Sequence, residues 1–236
     1  MIWLGLDTAN APLSVALVRD GELLVELNSG MGLNHSAGAM PAVEQLFKRA
    51  GIRPADVDAI AVSEGPGSYT GVRIGVTIAK TLAWTLDKPL VGVSSLRVLA
   101  SNIFTYGVTI CPLIDARRGN VYAGLYRRRH EDGTLDCLLE DRHMALSDLL
   151  DRLKLEGNPV VFVGEGARKN EEALKEALGE LGRRAHFTQD IPRASLLITE
   201  AQQEEPESVH AFSPEYRRIT EAEANWRKAN REAREK

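Results

Sequence analysis

The sequence has few residues of the kinds that disulfide frameworks, metal centres and membrane spans require. Its 236 residues include two cysteines, Cys111 and Cys137, which form no CxxC pair and have no metal-like spacing. A reduced, cytoplasmic environment is therefore predicted. No uninterrupted apolar run approaches the roughly 20 residues that cross a membrane. The first residues lack a basic segment and reach Asp7 too early for a signal peptide.

An excess of positive charge is also missing. The 29 basic and 33 acidic residues give a net charge of −4, which offers no case for autonomous, avid binding of nucleic acid. The five histidines lie in no recognisable motif, so no nucleophile–base pair is evident. His35, alone at a predicted helix start, is interpreted as a cap or a solvated side chain.

Two parts of the chain begin with the same order of predicted elements. The first part follows the order βββαβαβα, which is typical of an RNase H-like half. A shift of 108 residues places Asp7 on Asp115, and the same order of strand, acidic end, turn and strand predicts an internal repeat. An Ala/Leu/Glu/Lys pattern predicts a helix over 168–181. We therefore predict an α/β fold of two halves with mixed sheets flanked by helices. The predicted divisions are 1–104, a more divergent 105–213, and a helical tail over 214–236 that returns to the first half.

The chain is organised around the helix predicted over 71–86, which follows a strand at 59–63 and a Gly-Pro-Gly-Ser turn at 65–68. More than half of its circumference is apolar, whereas a surface helix needs about a third. Small residues recur at every fourth position, namely Gly71, Gly75, Ala79 and Ala83. A glycine inside a helix costs roughly 1 kcal/mol relative to alanine. The helix is therefore predicted to pack on two sides, against a sheet and against a second helix of this chain or of another chain.

Polar groups at the strand ends form a candidate nucleotide or phosphate site. They are Asp7, Thr8, Gly65, Gly67, Ser68 and Asp115. In actin-like kinases a pair of aspartates at equivalent strand ends faces the phosphates and metal, and a helix N-terminus can hold an anion. The turn lacks the lysine of a Walker loop and the spacing of a dinucleotide fingerprint. The alternative is that each aspartate caps its own turn and that residues 65–68 only begin the helix.

Five segments resemble the TsaB (YeaZ) family in order and spacing. They are Leu6-Asp-Thr8, Asn34-His35 with Pro41, the block over 65–75, Ile114-Asp-Ala-Arg117 with Val121-Tyr122, and Pro214-Glu-Tyr216-Arg217. The resemblance implies a fold of two actin-like (ASKHA) halves. It also implies a non-catalytic scaffold that binds a TsaD-type transferase and, through the complex, a TsaE-type ATPase. The complex would attach threonylcarbamoyl to adenosine 37 of ANN-decoding tRNAs, giving threonylcarbamoyladenosine (t6A).

Further expectations follow from the resemblance. The chain lacks histidine at 92–100, where TsaD-type relatives carry an H-x-x-x-H metal pair. No cofactor is expected in the isolated chain, whereas ATP and metal are expected on partner subunits. Contact with tRNA is expected to be indirect, and a homodimer is expected when the partner is absent. The alternatives are an actin-like kinase or ATPase that uses the strand-end residues, and a glycoprotease-like peptidase.

The N-terminal helices are expected to supply the partner interface by forming a four-helix bundle with the equivalent helices of the partner. The residues predicted to divide between core and partner contact are Met40, Val43, Phe47, Gly71, Val72, Gly75, Val76, Ala79 and Ala83.

Overall fold

The first half is built on a five-stranded sheet. A computed structural model describes residues 1–30 and 35–216. The strands are β1 (Ile2–Asp7), β2 (Leu13–Arg19), β3 (Glu22–Ser29), β4 (Ala59–Gly65) and β5 (Leu90–Ser94). Their order is β3-β2-β1-β4-β5; β1 to β3 are antiparallel, and β4 and β5 continue the sheet in parallel. Helices α1 (His35–Ala50), α2 (Tyr69–Leu86) and α3 (Ser95–Ser101) alternate with the last two strands.

The second half repeats this arrangement. Its strands are β6 (Thr109–Asp115), β7 (Asn120–Arg128), β8 (Leu135–Ala145), β9 (Val160–Val163) and β10 (Gly182–Arg184). The order β8-β7-β6-β9-β10, antiparallel and then parallel, matches the first sheet strand for strand. The predicted fold class of two actin-like, RNase H-like halves is therefore confirmed.

Four helices accompany or follow the second sheet. They are α4 (Leu146–Glu156), α5 (Glu165–Lys169), α6 (Glu171–Leu178) and α7 (Ala194–Ala201). The single helix predicted over 168–181 is wrong, because the helical run begins at Glu165, is interrupted at Asn170 and ends at Leu178. A 3-10 turn and β10 occupy the residues that follow.

The chain returns to the first half after the second sheet. Helix α7 packs on β1 and β2, where Leu197 and Ile198 join a buried cluster with Trp3 and Ala16. The contact is close, since a Cβ on Gly5 would lie 2.7 Å from the carbonyl oxygen of Ala194. The predicted boundaries at residues 104 and 213 stay predictions. The tail predicted to be helical lies outside the described residues from position 217 onward, as do Asn34 and Arg217.

The main core of the first half lies between the sheet and helices α1 and α2. Leu4, Leu6, Val15, Leu46 and Val62 are among its fully buried members. None of the helices in residues 1–30 and 35–216 is long and apolar enough to cross a membrane.

Candidate functional site

Helix α2 has defined caps at both ends. Ser68 is the N-cap residue, and its hydroxyl accepts a hydrogen bond from the amide of Gly71 at 3.3 Å. The amide of Ser68 donates to the carbonyl oxygen of Ala9 at 2.7 Å, which ties the helix start to the end of β1. At the other end Asp87 has left-handed backbone angles, and its amide donates to the carbonyls of Ala83 and Trp84. These caps fix the register of the helix on the sheet.

The stripe of small residues on α2 faces the sheet. A Cβ on Gly71 would lie 2.2 Å from the carbonyl oxygen of Thr8, and a Cβ on Gly75 would lie 2.4 Å from the Thr8 hydroxyl. That hydroxyl donates to the carbonyl of Gly71 at 2.7 Å. The glycines therefore allow the helix to approach β1 closely, a role within this chain.

Eight of the nine predicted interface residues belong to the core. Met40 is 46% exposed, whereas the other residues of the set are buried. The predicted division between core and partner contact therefore places these eight on the core side. The partner contact stays a prediction, and most of its surface must come from residues outside this set; of the nine, Met40, Val43 and Phe47 line a groove on α1.

The exposed side of α2 beside α1 carries no charge. We call it the Ile–Thr face; it comprises Thr70, Ile74, Thr77, Ile78, Thr81, Leu82 and Thr85. Ile74, Ile78 and Leu82 are partly buried against the core, and the threonines are exposed. Ile74 and Ile78 lie within the apolar part of the helix circumference, which we call the apolar arc, but they are not among the residues predicted to form an interface. The sequence signal for this interface was that Ile74, Ile78 and Leu82 recur at every fourth position and that the residues beside them on the helix are threonines and not charged residues.

An apolar groove adjoins the Ile–Thr face at the end of α1. It has a volume of about 540 Å³ and is lined by Met40, Val43, Phe47, Ile52, Pro54 and Leu82, among others. Glu44 and Lys48 on its rim form an exposed ion pair at 3.0 Å. The face and the groove are continuous, because Leu82 belongs to both; Glu44, Lys48 and Arg53 are charged residues that line the groove, whereas the Ile–Thr face has none.

The opposite side of α2 contacts residues 207–216, which we call the strap. Lys80 donates to the carbonyls of Phe212 at 2.6 Å and His210 at 3.2 Å. The Arg73 guanidinium lies 4.0 Å from the ring centre of Tyr69 and 5.6 Å from that of Tyr216. The two basic side chains of the helix, Arg73 and Lys80, therefore contact the chain itself, although Tyr69 and Trp84 on this side remain 58% and 71% exposed.

The candidate phosphate site in the first half is closed by its own packing. Asp7 is fully buried and accepts hydrogen bonds from the Ser63 hydroxyl and from the amide of Ala9. A Cβ on Gly67 would lie 2.2 Å from the Ala9 carbonyl, and a Cβ on Gly65 would lie 2.5 Å from that of Glu215. Strand end and turn are thus in direct contact.

The equivalent aspartate of the second half is also engaged locally. Asp115 accepts hydrogen bonds from the amide of Arg117 at 2.8 Å and from Lys169 at 2.9 Å. Each aspartate therefore caps the turn two residues on, which is the alternative to a phosphate role. Within residues 1–30 and 35–216, no group of three or more His, Cys, Asp or Glu side chains could hold a metal ion. The nucleotide role of these residues stays a prediction.

The two aspartates have opposite electrostatic environments. Burial raises the pKa of Asp7 to about 6, against the hydrogen bonds from Ser63 and Ala9 and the nearby His35, which lower it. The hydrogen bond from Lys169 lowers the pKa of Asp115 below its usual value. The pKa of Asp7 is higher in the folded state than in the unfolded state, so folding favours the protonated carboxyl group. The contribution of Asp7 to the free energy of unfolding is therefore greatest below about pH 4, and it is lost as the pH rises from about 4 to 6.

The substitution Asp7→Asn is expected to remove this loss. At pH 7 the variant should exceed the parent in free energy of unfolding by up to about 3 kcal/mol, because one pKa unit corresponds to about 1.4 kcal/mol. The advantage should shrink at pH 4. Asp115→Asn is the control. The pKa of Asp115 is lowered in the folded protein, so this variant should be less stable than the parent at pH 7 and equally stable at low pH. Urea unfolding at both pH values tests this, and an Asp7→Asn difference that does not vary with pH would contradict it.

Comparison with known proteins links the chain to one pathway. The family model described as "TsaD: tRNA N6-adenosine threonylcarbamoyltransferase" matches residues 31–226. The tRNA threonylcarbamoyladenosine biosynthesis protein TsaB of Bacillus subtilis is 42% identical over 226 residues, which cover 96% of this chain and 98% of the relative. A tRNA N6-adenosine threonylcarbamoyltransferase of Thermomicrobium roseum is 35% identical over 112 residues, covering 41% of this chain and 31% of the relative.

Solved structures agree with the sequence relatives. A protein of Pseudomonas aeruginosa described as similar to peptidase YEAZ superposes with a TM-score of 0.78 and 26% identity, covering 92% of this chain and 99% of that one.

Proposed function

This chain belongs to the TsaB (YeaZ) family, and from that premise we propose that it takes part in making threonylcarbamoyladenosine in tRNA, as the non-catalytic subunit that binds a TsaD-type transferase. The product would be modified adenosine 37 of ANN-decoding tRNAs, formed in the cytoplasm. The observation that supports the scaffold role is the uncharged Ile–Thr face with its apolar groove on the two N-terminal helices.

The chemistry of this surface suits a partner that presents helices. The buried centre of a protein interface is depleted in charged residues, and the Ile–Thr face has none. Met40 supplies an exposed, adaptable side chain at the rim of the groove. The transferase family model matches residues 31–226, which include α1 and α2, and this supports a partner with a comparable pair of helices. A second copy of this chain would offer the same face, so the proposal includes a homodimer when the transferase is absent.

The absence of chemistry in this chain is the second part of the proposal. The segment over 92–100, where transferase relatives are expected to carry the metal-binding histidines, enters α3 and contributes Leu96, Val98 and Leu99 to the core. ATP and metal would therefore be held by the transferase and by a TsaE-type ATPase reached through the complex. The kinase alternative has no support beyond the fold, and the buried Asp7 argues against it.

Replacing Ile78 with aspartate tests the proposed interface. The side chain is partly exposed in the middle of the Ile–Thr face, so the charge can be solvated in the free chain but not in a helix interface. We expect Ile78→Asp to remain folded by circular dichroism and to lose co-elution with the TsaD-type transferase. Leu146→Asp is the matched control, because Leu146 is likewise an apolar side chain partly buried against the core, at the start of α4 in the second half.

Retained co-elution of Ile78→Asp would contradict the interface. Substitutions at Gly75 or Val76 cannot replace this test, since both residues are buried and changes there would damage the core.

A further inference from the structure

The loop between α3 and β6, which joins the two halves, presents two aromatic rings to solvent. Phe104 and Tyr106 are 63% and 44% exposed. The start of the loop is fixed, because the side-chain amide of Asn102 donates to the carbonyls of Gln189 and Ile191, both at 2.9 Å. Single exposed apolar residues are common on protein surfaces, whereas neighbouring exposed rings on a fixed loop are typical of binding sites.

A buried arginine lies against the ring of Phe104. The guanidinium carbon of Arg128 is 4.8 Å from the ring centre, and the residue is 8% exposed. Its nitrogen atoms donate to the carbonyls of Ile103 at 2.8 Å, Ser101 at 3.0 Å and Gly133. These three hydrogen bonds fix the guanidinium group, so Phe104 is held in a cation–π contact.

Tyr106 forms a second stacked pair beside this contact. Its ring centre lies 4.6 Å from that of His130, with an angle of 22° between the ring planes. His130 is exposed and follows the end of β7. Tyr106 also acts on the charge of Arg128, so both rings lie close to the same cation. We call Phe104, Tyr106, His130 and Arg128 the aromatic platform.

The charged groups that contact the platform are cationic. Glu200 attracts Arg128 but already pairs with Arg97 at 2.6 Å, so two arginines share one carboxylate. The guanidinium of Arg183 donates to the hydroxyl of Thr105, the residue between the two rings, at 3.5 Å. No carboxylate of residues 1–30 and 35–216 lies within ion-pair distance of Arg128 or Arg183.

The acidic residues of the adjoining hairpin surround a different arginine. Arg129 pairs with Asp136 at 2.6 Å, and Asp132 and Glu131 also act on its charge. Asp132 in addition accepts hydrogen bonds from the amide and the hydroxyl of Thr134, at 3.0 and 2.7 Å. These carboxylates are thus engaged within the hairpin, and they do not neutralise the arginine beneath the rings.

We propose that the aromatic platform stacks an unpaired base of tRNA, and that Arg183 contacts a phosphate of the same strand. Unpaired RNA bases stack on aromatic side chains and on guanidinium planes. Phe104 and Tyr106 offer two such rings, and the fixed Arg128 prevents Phe104 from turning inward. A ring that is already held in place loses little conformational entropy when a base stacks on it.

The size and charge of the platform favour RNA over a protein partner. A stable protein interface buries about 800 Å² on each side, far more than two rings offer, whereas a base requires only one ring. The net charge of −4 suits a contact made within a complex rather than binding by this chain alone. The choice of tRNA rests on the proposed function. Direct contact would depart from the expectation that tRNA contact with this chain is indirect.

The double variant Phe104→Leu, Tyr106→Leu tests the stacking. Leucine keeps an apolar side chain and removes the aromatic face. We expect the complex of the full chain with its transferase partner to bind an unmodified tRNA transcript about 10-fold more weakly. Phe104→Tyr combined with Tyr106→Phe keeps both rings and should retain the affinity of the parent. Trp84→Leu is the control for an exposed aromatic residue elsewhere, since Trp84 is 71% exposed on α2, and it should change nothing.

Salt dependence separates stacking from charge. Stacking releases no counterions, so the slope of log affinity against log salt should be equal in the leucine variant and the parent. Arg183→Gln should lower that slope by roughly 1, as expected for one lost phosphate contact. A fully paired RNA duplex should bind the parent and the leucine variant equally.

Three results would overturn the proposal. They are unchanged tRNA affinity in the leucine variant, an equal loss for the paired duplex, and a parent complex that binds no tRNA. Loss of co-elution with the transferase in the leucine variant would also overturn it, because the rings would then contact protein. The platform lies on the second half and the Ile–Thr face on α2, so a failure here leaves the proposed scaffold role intact. Failure of Ile78→Asp, read by co-elution alone, is likewise distinguishable from a failure here.

Discussion

Gly71→Ala is expected to lower the free energy of unfolding by about 2 kcal/mol, although alanine favours helix more than glycine does. The added methyl group would lie 2.2 Å from the carbonyl oxygen of Thr8, a backbone atom that cannot move alone. Helix α2 must then shift away from β1, and overpacking of this kind typically costs 1–3 kcal/mol. The helix-propensity gain of about 1 kcal/mol offsets only part of a clash at this distance. Urea denaturation of the parent and the variant measures the difference.

A double-mutant cycle with Gly75 tests the physical cause. The Cβ of Gly75→Ala would lie 2.4 Å from the hydroxyl of Thr8, and the next nearest atom is 3.6 Å away. Thr8→Ala removes that hydroxyl, so it should suppress the effect of Gly75→Ala. It should not suppress Gly71→Ala, whose clash is with the backbone. Additive effects of Thr8→Ala and Gly75→Ala would show that the stripe is small for another reason.

Arg97→Met is expected to destabilise the chain by 3–5 kcal/mol. The Arg97 guanidinium contacts Glu200 at 2.6 Å, and the Glu200 side chain is only 4% exposed. Glu200 also accepts a hydrogen bond from the Ser101 hydroxyl at 2.8 Å. Removing the arginine leaves a buried carboxylate with one neutral partner, and breaking a buried ion pair in this way typically costs 3–5 kcal/mol.

The partner substitution separates charge burial from packing. Arg97→Met combined with Glu200→Leu should recover part of the stability, because the buried carboxylate is removed together with its partner, and only Arg128 loses a nearby opposite charge. Arg152→Met serves as the surface control; its pair with Glu156 at 2.8 Å has side chains that are 43% and 30% exposed. Such a pair contributes about 1 kcal/mol or less. Equal losses in Arg97→Met and in the double variant would show that the methylene packing of Arg97 matters more than its charge.

The architecture was predictable because its signals are local. Hairpin chemistry at Asp20-Gly21 and the recurrence of an aspartate at the ends of β1 and β6 depend on neighbouring residues. The orientation of α2 was not predictable, because its apolar arc is wide enough for the helix to pack on the sheet in either of two opposite orientations. Thr8 decides between them, and it is 63 residues from Gly71. Strand β10 was missed for a related reason, since three residues with two arginines form a strand only by pairing with β9.

The candidate site was found only in outline. Helices α1 and α2 were identified, but the predicted interface residues were those most typical of helix packing, which here means packing on the sheet of this chain. Ile74 and Ile78 lie at the edge of the apolar arc, and only the strap over the opposite side shows which edge remains open. The contact between Lys80 and the carbonyl of Phe212 cannot be predicted from the hydrophobic periodicity of either segment.

The return of the chain to its first half affects the order in which the two halves can complete their folding during synthesis. The sheet of β1 to β5 is covered on one face by α7 and along α2 by the strap, yet both are made after all ten strands. During translation the second sheet, continuous between Thr109 and Arg184, is available to close as soon as it leaves the ribosome. The face of the first sheet that carries Trp3 must wait until residues 194–201 emerge, whereas the face that carries Leu4 is covered earlier by α1 and α2. The part of the chain made first is thus the last to be completed, which makes it the half most in need of protection during synthesis.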